Sequence, residues 1–307
     1  MTDLRGLSLK QLRAFAAVMR AGSVAGAAQQ LFVTPPAVAT HLKTLEKLAG
    51  APIQVRGPDG LRPTEIGEAL LTMVAEMETT IARGERRITA IASGAEGTVT
   101  LGGVSTAKYF TPGIVAAFRK AHPGIRVQLA IGNRGAIVAG LERGEFDLVI
   151  MGRPPGHVAT EATLLGDHPH VLIAPPDHPL AKDRHILPED LLAQTFLARE
   201  EGSGTRTLTT RFLDRIGMGR PVRLEEMGTN ETIKQAVIAG LGIALISEHT
   251  CMAEFEDKRL VALPFPGLPM MRHWYMLHRE DRPLDRAATV LRDFVTAHRA
   301  DLLPHAI

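Results

Sequence analysis

The sequence predicts a small, mainly helical N-terminal region followed by a larger α/β region. Three observations carry this. Apolar residues recur at helical spacing through the first fifty residues and again over 66–91. Beyond residue 96, runs such as GTVTLGGV, IRVQLAIG and FDLVIMG alternate with helical stretches. The charge divides along the same line. Residues 1–64 carry eight basic side chains (Arg5, Lys10, Arg13, Arg20, Lys43, Lys47, Arg56, Arg62) against Asp3, Glu46 and Asp59, a surplus of five. The whole chain has a net charge of +2, so the remainder stands at −3. A small basic domain on a slightly acidic one is the pattern expected if only the first part meets a polyanion. A length of 307 residues, 45% of them hydrophobic, suggests two or three globular domains. The single cysteine, Cys251, excludes an internal disulfide framework and a Cys-rich metal site, and suits a reducing compartment. No charged leader opens the chain and no apolar run approaches a membrane span, so a cytoplasmic protein without a membrane partner is expected.

Ser8 and Gln11 form an S-x-x-Q capping box ahead of Leu9, Leu12, Phe15 and Met19, a helix that Gly22 closes. Ser23 caps a short helix rich in alanine, whose small side chains allow close approach of its neighbours. The next stretch, TPPAVATHLKTLE over 34–46, opens on two prolines. The first amides of a helix have no internal partner, so proline loses nothing there. Thr34 is expected to cap with its hydroxyl, Pro36 to delay the first turn past Pro35, and the remaining free amides to face an anion. Val38, Leu42 and Leu45 turn inward; Thr40, Lys43, Thr44 and Lys47 turn outward, with Ala37 and His41 on the flank. The two short helices separated by Phe32–Val33–Thr34 read as a helix-turn-helix. IQVRGPDGLRPT follows as strand, Pro-Asp-Gly turn and return, a wing with Arg56 and Arg62 on either side of its tip.

The segment SVAGAAQQLFVTPPAVATHLKTLEKLAGAPIQVRGPDGLRPTEIG resembles the winged helix-turn-helix of the LysR-type transcriptional regulators. Pro35 and Ala39 stand where that family often carries Gln and Ser, and His41 replaces a second common Gln. The resemblance implies a DNA-binding domain over 7–64, with its helix-turn-helix at 24–43. Ser23, Thr34, Pro36, Thr40, His41, Lys43, Arg56 and Arg62 are its candidate DNA contacts. Thr40, His41 and Lys43 would enter a groove, and the two wing arginines would meet the phosphate backbone. Residues 65–94 carry a stripe of Ile66, Leu70, Met73, Met77, Ile81, Ile88 and Ile91 at spacings of three and four, broken around Gly84. One stripe on a long helix needs a partner. The resemblance makes that partner a second copy, giving a dimer and then a tetramer that recruits RNA polymerase; packing on its own C-terminal domain is the alternative.

Beyond Ser93–Gly94, strand ends carry hydroxyl, glycine and arginine residues in place of nucleophile–base sets. The stretch STAKYFTPGIVAAFRKAHPG reads as one helix, putting Ser105 and Thr106 at its N-terminus, an anion seat. Gly202–Arg206 is a glycine-rich turn into another helix, offering Ser203, Thr205 and Arg206. Asn230 and Thr232 open a third, while Asn133, Arg134 and Arg153 end strands. Each is as good a helix cap as a ligand contact; together they suggest one rim between lobes. Here the LysR resemblance implies an effector domain over 95–302 of the type-2 periplasmic-binding-protein fold. One lobe would span 95–166 and 269–302, the other 167–268. VSTAKYFTP, GNRG, DLVIMGRPP, GDHPHVLIAPPDHPL, GSGTR and NETIKQAVIAGLGIALIS look like the subgroup controlling Calvin-cycle operons, including RuBisCO genes. That implies an activator without a cofactor that responds to an anionic metabolite: a sugar phosphate such as ribulose bisphosphate, phosphoenolpyruvate, or NADPH. A regulator of another one-carbon route, such as the serine cycle, fits as well.

Other classes fare worse. His122, His168, His170 and His178 lie beside prolines or in apparent turns, without a ligand set for a metal. GSGTR lacks the Lys-Ser/Thr of a P-loop and no G-x-S-x-G is present, so no catalytic residue is expected and the chain is read as a non-enzyme. A solute-binding transport protein could use the C-terminal fold, but the basic winged domain and missing export signal oppose it.

Overall fold

The computed structural model describes residues 4–57, 60–92, 96–183 and 185–304. Pro58 and Asp59 of the wing turn, Ser93 and Gly94 of the domain boundary, and the Ile91 side chain of the helical stripe lie outside them. Two compact units divide at Glu85.

In the first unit, α1 (Leu9–Ala21), α2 (Val24–Gln30) and α3 (Pro35–Ala49) precede strands β1 (Gln54–Gly57) and β2 (Gly60–Pro63) and the start of α4 (Glu65–Ala92). The Ser8–Gln11 capping box forms, Gly22 closes α1 in the left-handed conformation, and Ser23 caps α2 through the Gly26 amide. Leu12, Phe15, Val18, Val38, Leu42, Leu45 and Ile53 form the core, each large side chain contributing about 2 kcal/mol by leaving water. Two expectations at α3 need correction. The helix starts at Pro35 itself, and the Thr34 hydroxyl makes no cap bond. With prolines in the first two positions, the usual N2 partner amide is absent, and the Val38 amide is taken by the Thr34 carbonyl. Of the first turn's amides, only that of Ala37 is left for an anion.

The entry to α4 explains its sequence. Thr64 accepts from the Gly67 amide and donates to the Pro52 carbonyl at 2.9 Å. A Cβ on Gly67 would stand 2.0 Å from the Ile53 carbonyl oxygen, so only glycine lets the helix pass the wing. The helix is continuous through Gly84. Its apolar stripe is split: Leu70, with Val74 from outside the stripe, is buried in the core of the first unit, whereas Ile66, Met77 and Ile88 are exposed, Ile88 by 68%. Those three recur every eleven residues and share one face. Arg13 of α1 grips Glu78 with two hydrogen bonds, and the guanidinium keeps that carboxyl below its ordinary range.

The second unit is α/β in two lobes. In chain order the elements are β3 (Gly97–Val104), α5 (Thr111–Ala121), β4 (Ile125–Gly132), α6 (Arg134–Arg143), β5 (Leu148–Met151), β6 (Thr160–Asp167) and β7 (His170–Ala174). Then come α7 (Pro188–Leu192), β8 (Thr195–Arg199), α8 (Gly204–Gly217), β9 (Arg223–Met227), α9 (Asn230–Ile238) and β10 (Ala244–Ser247). The chain ends with α10 (Met252–Glu256), β11 (Val261–Ala262), β12 (His273–Arg279), α11 (Arg286–Ala297) and α12 (Arg299–Leu302). The first sheet runs β4-β3-β5-β12-β6, with β3 parallel to β4 and β5, and β12 antiparallel to β5 and β6. The second lobe holds β10-β7-β11 and the parallel pair β8-β9, linked by a bridge between Phe196 and Ile243. The chain crosses between lobes twice, where His168 and Arg272 exchange backbone bonds.

Two local expectations differ from the structure. Ser105–Tyr109 is a 3-10 turn rather than the start of the long helix, because Pro112 sets a fresh N-terminus at Thr111. Thr229, not Asn230, caps α9. The strand β6, TEATLLGD, carries no local signal in the sequence; it is an edge strand with half of its residues exposed and one buried, so it lacks an apolar run.

Candidate functional site

The outer face of α3 and the wing form the first candidate surface. Thr34, Pro36, Thr40 and Lys43 are exposed and His41 is half-buried along that helix. Thr40 donates its hydroxyl proton to the Pro36 carbonyl at 2.9 Å, which leaves its lone pairs to a partner. Ser23 serves as the cap of α2. In the wing, Arg56 pairs opposite Leu61 and Arg62 opposite Val55. Directly opposed residues share a face, so the two exposed arginines project from opposite faces of the ribbon. Phe32, in the helix-turn-helix turn, is 95% exposed at a left-handed φ of 55° beside the start of α3.

The second site is a cavity of about 250 Å³ between the two lobes. Of the predicted effector residues, Ser105, Thr106, Arg134, Arg153, Ser203 and Thr205 line it. Four do not. Asn133 caps α6 and reaches Glu200 at 3.4 Å. Arg206 turns away, donating to the Arg199 carbonyl at 3.0 Å and standing 3.6 Å from Glu226. Asn230 is buried, accepting from Arg199 at 2.6 Å. Thr232 is exposed and bonds Thr229.

The structure adds cavity residues that sequence reasoning missed: Arg199, Arg211, Arg272, His168 and His170. Arg199 ends β8 and could have been found by the rule that ligands meet strand C-terminal ends. Arg211 lies seven residues after Gly204, on the same face of α8. Arg272 and His168 sit on the crossings, whose pairing no local pattern reveals. His168 and His170 are buried, not solvent turns, which corrects that expectation.

Charge in the cavity is lopsided. Arg199 is 3% exposed and neutralised by Glu200, which it grips at 2.7 and 2.9 Å. Burial works against the Glu200 carboxylate, yet the Arg199 bonds hold its pKa below the ordinary value. Arg134, Arg153, Arg211 and Arg272 have no carboxylate partner among the described residues. Arg134 donates to the Arg153 carbonyl at 2.6 Å, and burial, then the charges of Arg153 and Arg272, lower its pKa. The N-terminus of the fourteen-residue α8 adds its amides and dipole. Ser203, its cap residue, makes no side-chain cap bond although it is 4% exposed and lines the cavity. Such a wall is complementary in charge to a small anion with more than one negative charge.

The lobes are held around the cavity. The Gly135 amide donates to the Gly202 carbonyl at 3.0 Å. Glu231 of α9 accepts from Lys108 and from Tyr109, each at 2.5 Å. Behind the cavity, Trp274 stacks on His168 at 3.7 Å and donates to His249 at 3.1 Å. Burial lowers the pKa of His170 and of His249 to about 4 and drives that of His168 well below its ordinary value. Among the described residues no His, Cys, Asp and Glu group suits a metal, and no helix is long and apolar enough to cross a membrane.

Known proteins share this division. Residues 9–68 match the model of the bacterial regulatory helix-turn-helix proteins of the lysR family, and residues 92–300 match the LysR substrate binding domain. The chain is 44% identical, over all of its length and 99% of the relative's, to the HTH-type transcriptional regulator CbbR of Cereibacter sphaeroides. It is 38% identical to the RuBisCO operon transcriptional regulator of Allochromatium vinosum, covering 96% of this chain and 97% of that one. Among solved structures, the regulatory domain of Synechocystis PCC6803 CcmR in complex with 2-PG superposes with a TM-score of 0.63 at 32% identity. That match covers 67% of this chain and 99% of the other.

Proposed function

The chain belongs to the LysR family of bacterial helix-turn-helix transcriptional regulators, and we propose that it controls carbon-fixation genes in response to a small phosphorylated metabolite. The observation that carries the effector class is the surplus of arginines around the cavity, four without a carboxylate among the described residues, at the N-terminus of α8. The names of the relatives, regulators of the CbbR kind and of a RuBisCO operon, support the genes. The 2-PG in the CcmR structure supports the ligand. At about 250 Å³ the cavity suits a phosphorylated acid or sugar bisphosphate.

The protein acts by binding and catalyses no reaction. In this reading Thr40, His41 and Lys43 meet base edges, while Ser23, Thr34, Pro36, Arg56 and Arg62 position the domain on the backbone. The exposed Ile66, Met77 and Ile88 face of α4 joins two copies, so that paired recognition helices meet half-sites about 34 Å or a multiple apart. Four copies then span two sites and contact RNA polymerase, in the cytoplasm where the DNA is. The effector shifts the arrangement of lobes or subunits by its differential affinity for two states, and so changes DNA bending.

The test is a footprint of the purified protein on a RuBisCO-operon promoter, repeated with ribulose bisphosphate, phosphoenolpyruvate and 2-phosphoglycolate. Protection that shortens or shifts with one of them is expected. Protection indifferent to all three refutes the effector class, and its absence at low salt refutes the target genes.

A further inference from the structure

Four arginines explain how the cavity takes negative charge; they do not explain His168. This side chain lies on the crossing between lobes, 4% exposed, and lines the cavity. Its ring is fixed on three sides. Trp274 stacks on one face at 3.7 Å, nearly parallel, and His170 lies 4.4 Å away. The Nε2 atom pairs with the hydroxyl of Ser247 at 3.0 Å, itself fully buried. The Nδ1 atom is buried and has no hydrogen-bond partner among the described residues. A buried polar atom without a bond is uncommon and destabilising in a folded protein. Here it points to something that arrives later.

The neighbour at that nitrogen is Gly152, another cavity residue. A Cβ on Gly152 would stand 3.0 Å from Nδ1. Glycine therefore keeps a side chain off this nitrogen, where any other residue would press on it. The group that approaches is not an anion seeking a cation. Burial and the charges of nearby His170, His249 and Arg272 hold His168 neutral at ordinary pH, and the anionic parts of a ligand have the arginines. A neutral imidazole offers one donor or one acceptor, set by the direction of its bond to Ser247. A hydroxyl group satisfies either, because it both donates and accepts.

We propose that His168 selects the effector by a hydroxyl group: its unpaired Nδ1, beside the side-chain-free Gly152, bonds an alcohol carried by the phosphorylated ligand, and phosphates lacking that alcohol bind more weakly. The assignment rests on the small-phosphate reading above and adds to it the chemical feature by which this chain tells one such phosphate from another. A buried group left unpaired by the wrong ligand discriminates far better than a change of size does.

The experiment compares two probes of equal charge and carbon count by titration calorimetry on the full chain. One is 3-phosphoglycerate; the other is 3-phosphooxypropanoate, the same molecule without its 2-hydroxyl. The wild type is expected to prefer the hydroxylated probe by roughly tenfold or more. His168→Phe keeps a flat ring on Trp274 but removes both nitrogens, and should bring that preference below about threefold, leaving affinity for the deoxy probe within about threefold. Gly152→Ala, which covers Nδ1 with a methyl group and leaves the His168–Ser247 bond in place, should do the same if the first variant fails to fold. Trp274 is the only tryptophan, so its fluorescence reports the stacked ring directly and should change with the hydroxylated probe more than with the other. Equal binding of the two probes by the wild type overturns the role of His168 and spares the anionic effector. A preference that survives in a folded variant does likewise. Binding of neither probe overturns both.

Discussion

Ser203 separates a structural serine from a ligand-binding one. It occupies the N-cap of α8, where replacing serine with alanine ordinarily costs about 1 kcal/mol. In a unit of this size that would lower the melting temperature by about 2–4 °C. The structure removes the reason for that loss: the hydroxyl makes no cap bond, and the residue is 4% exposed against the cavity. Ser203→Ala should therefore change stability by less than about 0.5 kcal/mol, at most about 2 °C. A hydroxyl donating to a phosphate is a charge-assisted bond worth about 1.5–3 kcal/mol, so affinity should fall about 10- to 100-fold. Thermal unfolding of the ligand-free protein and calorimetry with 3-phosphoglycerate measure the two effects on one sample. A melting point lowered by several degrees with unchanged affinity would refute the reasoning, because the hydroxyl would then be a cap after all.

Three further outcomes follow from the geometry. Gly67→Ala drives a methyl group to 2.0 Å from the Ile53 carbonyl, so α4 must shift from the wing; a loss of about 1–3 kcal/mol and a parallel drop in DNA affinity are expected by urea unfolding and gel shift, and a neutral variant contradicts the packing. Arg56→Ala and Arg62→Ala should each flatten the slope of log K against log salt by about 0.9, the share of one DNA phosphate that the variant no longer neutralises; an unchanged slope for either takes that face of the wing off the backbone. His170 and His249 carry folded pKa values of about 4, below the ordinary 6.5, so the unfolded chain binds more protons between those limits. The stability that their neutral burial allows is present above pH 6.5 and is lost as pH falls towards 4; denaturant unfolding of the second unit at pH 7, 6 and 5 that shows no decline rules this out.

The parts of the fold that follow local rules were legible in the sequence. The Ser8–Gln11 box, the Gly22 stop and the Ser23 cap are each settled within a few residues, and the alternation of strand and helix beyond residue 96 marks the α/β class. What local pattern cannot supply is the direction of a side chain. Arg206 looked the better anion ligand because it follows a glycine-rich turn, but helical phase turns it to the Arg199 carbonyl. Arg211, further along the same helix, faces the cavity instead. Leu70 belonged to the apolar stripe by spacing and yet lies in the first unit's core, since a helix that carries two apolar faces reads as one stripe in one dimension. The crossings are the least legible of all. His168 and Arg272 are far apart in the chain, and only the paired strands β6 and β12 bring them together.

The placement of carboxylates distinguishes frame from binding wall more clearly than the placement of arginines does. Glu200 neutralises Arg199, and Asn230 takes a further proton of the same guanidinium. Glu231 joins Lys108 and Tyr109 across the lobes, and the bonds to it hold its pKa below the ordinary value although burial opposes them. The Glu231 bonds hold one lobe to the other, whereas those of Arg199 brace the second lobe from within. Arg134 is handled differently: it is oriented by the carbonyl of Arg153, a dipole that fixes direction without cancelling charge. A carboxylate in that place would have stabilised the empty protein and removed the attraction for an anion. Arg134, Arg153 and Arg272, without such a partner among the described residues, repel one another in the ligand-free state, as the lowered Arg134 pKa reflects after burial, and an entering anion would relieve that repulsion. In the proposed reading binding and lobe arrangement are coupled through electrostatics: the same ion that gains from the arginines would also remove the repulsion that opposes a closed cavity.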